Sequence, residues 1–251
     1  MFDYTDRVVL ITGGGQNVGA EVATTLAAQG ATVAVNDLTA DRAAGVVDKI
    51  IAAGGKAVVA AADVTDADAV NAAVADVVAA VGPIDVLVNN AGIPAGGMGL
   101  VPFLRTSPAD WKPFIDLNLY GVLNCTSAVL GGMVDRGWGR VVTIVSDAGR
   151  LGERGQAAYA ASKAGAAAFM RSIAKEVGRN GVTCNSVSLG SIEREGTGRD
   201  PEILAKQLKF YPMNRLGRPA DIAALVTWLA SSEASWVTGQ TIPLNGGYGT
   251  S

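Results

Sequence analysis

The chain is 251 residues long, 49% hydrophobic and only 17% charged, which is ample for a large buried core. A formal charge of −3 without any cluster of Lys or Arg argues against a nucleic-acid or anionic-membrane surface and leaves small molecules as the expected partners. There is no histidine, which excludes His-dependent triads and the commonest zinc sites and leaves Tyr, Lys, Asp and Glu for acid–base work.

Short β-rich runs alternate with Ala-rich helical stretches almost end to end. Arg7 to Thr12, Ala31 to Asn36, Lys56 to Ala60, Ile84 to Asn89, Arg140 to Val145 and Val182 to Val187 read as strands. They are nearly continuous in apolar character, the pattern of strands covered by helices on both faces. Val18 to Gln29, Ala40 to Ala53, Ala67 to Val81, Ala109 to Met133 and Gln156 to Arg179 read as helices, with Gly30, Gly54, Gly82 and Gly181 at their ends. A last unit joins a helix near Pro219 to Ser231 with a strand near Gln240 to Leu244. The alternation predicts a single-domain α/β fold, a doubly wound parallel sheet of about seven strands.

Ser191 to Arg215 breaks the rhythm with Gly196, Gly198, Pro201 and Pro212 and one short helical stretch near Glu202 to Phe210. At the carboxyl edge of such a sheet it is placed to cover a ligand. Apolar runs are cut at Gly82, Pro83 and Asp85, so no stretch is expected to span a bilayer. Met1-Phe2-Asp3-Tyr4 lacks the basic start of a signal peptide, which favours the cytoplasm. Cys125 and Cys184 lack metal-ligand spacing and read as buried thiols; no metal is expected.

The first strand runs into Thr12-Gly13-Gly14-Gly15-Gln16-Asn17-Val18-Gly19 and then into a helix. Glycines admit a pyrophosphate close to the backbone, and the helix N-terminus offers free N–H groups. Asn17 stands where a glycine is expected, but Asn tolerates a left-handed backbone and also caps helices. Asp37 ends the second strand, where a carboxylate can accept hydrogen bonds from the adenosine ribose. With no Lys or Arg in the glycine loop or beside Asp37, a 2′-phosphate would be repelled, so NAD is favoured over NADP. Asp63-Val64 and Asn89-Asn90-Ala91-Gly92 follow the third and fourth strands on the same edge. Tyr159 and Lys163 lie one helical turn apart, so that the ammonium can stabilise the phenolate and draw its pKa down from roughly 10. Such pairs also arise by chance, with the ring in the core and the amine in water.

Taken together these motifs resemble the short-chain dehydrogenase/reductase family in its classical form, nearly end to end. Thr12 to Gly19 matches its cofactor loop, Asn89 to Gly92 its Asn-Asn-Ala-Gly element, and Tyr159 with Lys163 its Tyr-x-x-x-Lys pair. Ser146 and Asn118 fall at its catalytic serine and asparagine, and Arg215 to Pro219, Thr238 to Gln240 and Gly246-Gly247 also look familiar.

The resemblance implies an NAD(H)-dependent oxidoreductase that interconverts a secondary alcohol and a ketone, with a nicotinamide carrying the hydride. It gives Ser146 the substrate oxygen, Tyr159 the proton, Lys163 the tyrosine pKa and nicotinamide ribose, and Asn118 a water leading from Lys163 to solvent. Cofactor contacts are implied at Gly13, Gly15, Gln16, Asn17, Val18, Gly19, Asp37, Asp63, Val64, Asn90, Ala91, Gly92, Tyr159, Lys163, Gly190 and Ile192. A homotetramer is implied too.

Around Ser146-Asp147-Ala148-Gly149-Arg150 the chain looks most like members acting on hydroxyacyl or cyclic hydroxy thioesters and like 3-oxoacyl-carrier-protein reductases. Pro94, Met98, Leu151, Phe210, Tyr211 and Met213 are expected to line an apolar pocket. Leu189-Gly190-Ser191-Ile192-Glu193-Arg194 departs from the family's Pro-Gly and following Thr, which puts loop order and cofactor affinity in question. Arg194 is either a solvent-exposed loop residue or a contact for an anionic substrate. The departure also keeps open a dinucleotide-binding structural or regulatory protein that has lost catalysis.

Overall fold

The computed structural model describes residues 2–94, 97–193 and 200–250. Its centre is one sheet of seven parallel strands in the order β3-β2-β1-β4-β5-β6-β7. The strands are β1 (Val8–Ile11), β2 (Thr32–Val35), β3 (Lys56–Val59), β4 (Val86–Asn89), β5 (Gly139–Ser146), β6 (Val182–Leu189) and β7 (Thr241–Leu244). The strand order reverses between β1 and β4, and a crevice for a ligand opens at such a switch point beyond the carboxyl ends of the strands. β1 pairs Ile11 with Val35 on one side and with Val88 on the other, so the exits of β1, β2 and β4 are level.

The helices are α1 (Asn17–Ala27), α2 (Ala40–Ala52), α3 (Ala67–Val81), α4 (Pro108–Ile115), α5 (Gly121–Asp135), α6 (Asp147–Leu151), α7 (Ala157–Val177), α8 (Pro201–Leu208) and α9 (Pro219–Ala230). Two apolar cores result, one on each face. The first gathers Val22 and Leu26 of α1, Val46 and Ile50 of α2 and Ile222 and Val226 of α9. The second gathers Val70 and Val77 of α3, Val129 and Met133 of α5 and Ala166 and Met170 of α7. β1 reads Val-Val-Leu-Ile without alternation because Val9 and Ile11 enter one core and Val8 and Leu10 the other.

All six predicted strands and the last unit are present, and Gly30, Gly54, Gly82 and Gly181 take positive φ. The helix expected over 109–133 instead divides. α4 passes at Asp116–Tyr120 into a π-helical turn, and α5 follows. This run, Pro108–Asp135, is long and apolar enough by composition to cross a membrane, contrary to the expectation from sequence. Here it packs against α3, α7, β4 and β5 and carries the fully buried Asn118 at its middle.

Candidate functional site

The glycine loop forms a tight bend between β1 and α1. Gly13 has φ +59° and Asn17 has φ +46°, so Asn17 does adopt the left-handed backbone allowed to it. Capping falls to Gln16 rather than Asn17, because Asn17 is already the first helical residue. Gln16 makes no side-chain cap bond, and the first turn carries no acid. The N–H groups of Val18 and its neighbours therefore face the crevice with the positive end of the helix dipole, as a phosphate requires. A Cβ on Gly19 would come within 2.2 Å of the Gly13 carbonyl oxygen, so no other residue fits under this bend.

The loop is fastened to the exit of β4. Thr12 Oγ1 accepts the N–H groups of Asn90 and Ala91 at 3.0 and 3.1 Å, and Asn90 Nδ2 donates to the carbonyls of Thr12 and Gly13, both at 3.0 Å. Asn36 Nδ2 donates to the Ala60 and Ala62 carbonyls, which fixes the exit of β2 against the segment leading to Asp63. Asp63 is exposed and turns back to accept the Thr65 N–H at 2.9 Å. Val64 is buried beside it, packed on Gly121.

Asp37 is 4% exposed and accepts the Gly15 N–H at 3.2 Å. Contrary to the expectation from sequence, a cation stands beside it. Arg42, one turn into α2, sets its Nη2 2.7 Å from Asp37 Oδ1. The two lie five positions apart in sequence, and the start of α2 folds the arginine back over the strand exit.

Of the four residues expected to carry chemistry, Ser146, Lys163 and Asn118 come to the neighbouring exits of β4 and β5. Ser146 ends β5, and its Oγ caps α6 by accepting the Ala148 N–H at 3.2 Å, leaving its own O–H to donate elsewhere. Tyr159 is half-buried on α7, edge-on to Phe114 at 6.1 Å between centroids. Lys163, on the following turn, is 3% exposed, and its Nζ donates to the Ile144 carbonyl at 2.9 Å. Burial alone pushes its ammonium down from 10.5 to about 8.

Asn118 lies in the π-helical turn, and both of its side-chain polar atoms are buried without a hydrogen-bond partner among the described residues. Such orphaned groups in a folded interior are costly. Turns of this kind concentrate at functional sites because they re-aim a side chain. A Cβ on Gly92 would lie 2.7 Å from Lys163 Nζ and 3.0 Å from Asn118 Oδ1, so these three positions meet in one pocket. Gly92→Ala is therefore expected to lower kcat by roughly tenfold by displacing the buried amine, with the melting temperature nearly unchanged.

Lys163 could not be placed by helical spacing alone, since the chance reading put its amine in water. The departure at Leu189-Gly190 leaves Leu189 to Glu193 held by hydrogen bonds. Leu189 remains in β6, Gly190 N–H donates to the Leu244 carbonyl and Ser191 N–H to the Tyr211 hydroxyl at 2.9 Å. Ile192 pairs with Gly217 in a short parallel bridge. Hydrogen bonds thus supply the order expected of the proline. Of the expected pocket residues, Tyr211 is buried while Met98, Leu151, Phe210 and Met213 are exposed. Arg194, Gly196 and Gly198 lie outside the described residues. No group of three or more His, Cys, Asp or Glu able to hold a metal occurs among the described residues. Cys125 and Cys184 are buried thiols whose pKa burial raises to about 12.

A family profile described as enoyl-(acyl carrier protein) reductase matches residues 13–249. The chain is 40% identical to a 3-oxoacyl-[acyl-carrier-protein] reductase of Synechocystis sp., over 98% of each chain. It is also 40% identical to an acetoacetyl-CoA reductase of Shinella zoogloeoides, over 96% of this chain and 98% of that one. A crystal structure of a 3-oxoacyl-[acyl-carrier protein] reductase from Brucella melitensis with bound NAD superposes with a TM-score of 0.90 at 35% identity, covering 99% of this chain and 93% of that one. With a glycine bend at the switch point and Lys163, Asn118 and Gly92 meeting beside it, the chain belongs to the short-chain dehydrogenase/reductase family of nicotinamide-dependent oxidoreductases.

Proposed function

We propose that the protein reduces a 3-oxoacyl thioester, or oxidises the matching 3-hydroxyacyl thioester, with NAD(H). The observation that carries the reading is the convergence of Lys163 Nζ, Asn118 and Gly92 in one buried pocket beside the exit of β5. The names of the two relatives at 40% identity support the thioester class. A cyclic alcohol is the second substrate class, since the residues around Ser146 resemble members acting on cyclic hydroxy thioesters as well as on hydroxyacyl ones.

When bound, the dinucleotide supplies or accepts the hydride. Gly13 to Gly19 would hold its pyrophosphate, Asp37 the adenosine ribose, Asp63, Val64 and Asn90 to Gly92 the adenine and inner ribose edge, and Gly190 and Ile192 the carboxamide through their backbone. Ser146 donates its O–H to the substrate oxygen. Tyr159 gives that oxygen a proton in reduction and takes it back in oxidation. Lys163, still protonated at neutral pH, stabilises the phenolate. Asn118 offers its two unpaired polar atoms to a solvent path from Lys163. The segment 191–215, of which residues 194–199 lie outside the described residues, would cover the substrate. Initial rates across a panel of 3-oxoacyl-CoA thioesters, cyclic ketones and simple ketones test the reading, and NADH binding without turnover on any of them favours the non-catalytic alternative.

NAD is the proposed cofactor because Asp37 is buried against the Gly15 N–H, where its carboxylate repels a 2′-phosphate. The Arg42 guanidinium weakens that repulsion, so the preference is moderate. Asp37→Ser frees Arg42 and is expected to raise kcat/KM with NADP by about tenfold or more relative to NAD. Parity of the two cofactors in the unmodified enzyme would overturn the role given to Asp37. A cytoplasmic homotetramer completes the proposal. The family resemblance supports the tetramer, and sedimentation velocity reads the assembly.

A further inference from the structure

Asp147 follows Ser146 directly as the first residue of α6, and it is only 2% exposed. A carboxylate leaves water only at high cost unless it is paired and hydrogen-bonded. Three parts of the chain supply its partners. Ser188 Oγ donates to Oδ1 at 2.7 Å, Asn245 Nδ2 donates to Oδ2 at 2.5 Å, and Arg150 Nη1 lies 3.6 Å from Oδ1. Ser188 is the residue before Leu189 in β6, and Asn245 directly follows β7. One buried charge therefore ties together the carboxyl ends of β5, β6 and β7.

The far end of α6 is held by the same C-terminal segment. Tyr248 Oη donates to Glu153 at 2.6 Å and its ring stacks on Tyr211 at 5.2 Å, while Tyr211 Oη accepts the Ser191 N–H. Ser146 Oγ is oriented by the Ala148 N–H in the first turn of α6. A rotation of that turn would swing the serine hydroxyl. Leu189 to Ile192 keep their own hold through the Gly190 N–H, the Ser191 N–H and the pairing of Ile192 with Gly217.

We infer that Asp147 is a positioning residue, which fixes the direction of the Ser146 hydroxyl by clamping α6 to the exits of β6 and β7. The inference rests on the role proposed above for Ser146. Asp147→Asn is the test, because an amide keeps the size but can accept only through its single oxygen, and it removes the ion pair with Arg150. Turnover, KM, dinucleotide Kd and melting temperature are measured for D147N, S146A, the D147N/S146A double variant, and S188A and N245A. D147N is expected to lower kcat about tenfold or more, since small misplacements of a reacting group cost that much. Dinucleotide Kd should hold, S188A and N245A should show the same kcat loss in weaker form, and D147N should add nothing in the S146A background.

A purely structural Asp147 would lower the melting temperature and leave kcat of the folded enzyme intact, which overturns the inference. An equal kcat loss with and without Ser146 overturns it too. If D147N fails to fold, S188A and N245A with normal kcat do the same. Full turnover in S146A would instead remove the role of Ser146 itself, a separate failure.

Discussion

Tyr159→Phe is expected to reduce kcat by about 10²–10⁴-fold, the contribution of a positioned general acid–base group, while dinucleotide Kd stays unchanged. The chain has no histidine to take over the proton, and Ser146 is committed as a donor to the substrate oxygen with its Oγ already accepting the Ala148 N–H. Phe fills the same space against Phe114, where the ring now sits edge-on at 6.1 Å, so α7 should fold as before. The proposed dinucleotide contacts at Gly13 to Gly19 and Asp37 are on the other side of the switch point and lose nothing. Single-turnover rates with a fluorescence titration of NADH separate the two effects. Substantial turnover in the Phe variant would remove Tyr159 from the mechanism.

Much of this arrangement was legible in the sequence because it is written in local patterns. Continuous apolar strands, glycine helix ends and the bend from Thr12 to Gly19 each follow from neighbours in the chain. The left-handed Asn17 was readable for the same reason, since only its own backbone decides it. What stayed hidden depends on side chains meeting across the fold. Arg42 falls on Asp37 only because α2 begins where it does, and no spacing rule marks that pair. The π-helical turn at Asp116–Tyr120 inserts one residue into an otherwise regular helical pattern, and a periodicity of 3.6 reads straight through it. The Asp147 cluster joins residues 41 and 98 positions apart, so nothing local announces that Asp147 is buried. The missing proline after β6 suggested a loose loop for a similar reason. Its replacement is a set of hydrogen bonds from Tyr211, Leu244 and Gly217, all distant in sequence.

Lys163→Met separates what the lysine does for the reaction from what it costs the fold. Activity should fall by about 10²-fold or more, because the phenolate of Tyr159 loses its cation. Stability should move the other way. Burial pushes the ammonium down from 10.5 to about 8, so at pH 7 the folded protein carries a desolvated charge. At 1.36 kcal/mol per pKa unit, that penalty is roughly 3 kcal/mol. Losing the hydrogen bond to the Ile144 carbonyl takes back about 1 kcal/mol, so the Met variant should be the more stable one at pH 7. Between about pH 8 and 10.5 the folded chain has released this proton while the unfolded chain still holds it. The stability of the unmodified protein therefore rises with pH through that window. Met cannot titrate, so the gap between the two proteins should shrink as the pH rises from 7 to 9.5. Urea denaturation at both pH values reads the gap directly. A Met variant that is less stable by the same amount at each pH would show that the buried ammonium is not penalised, and that Lys163 is held for packing rather than for its charge.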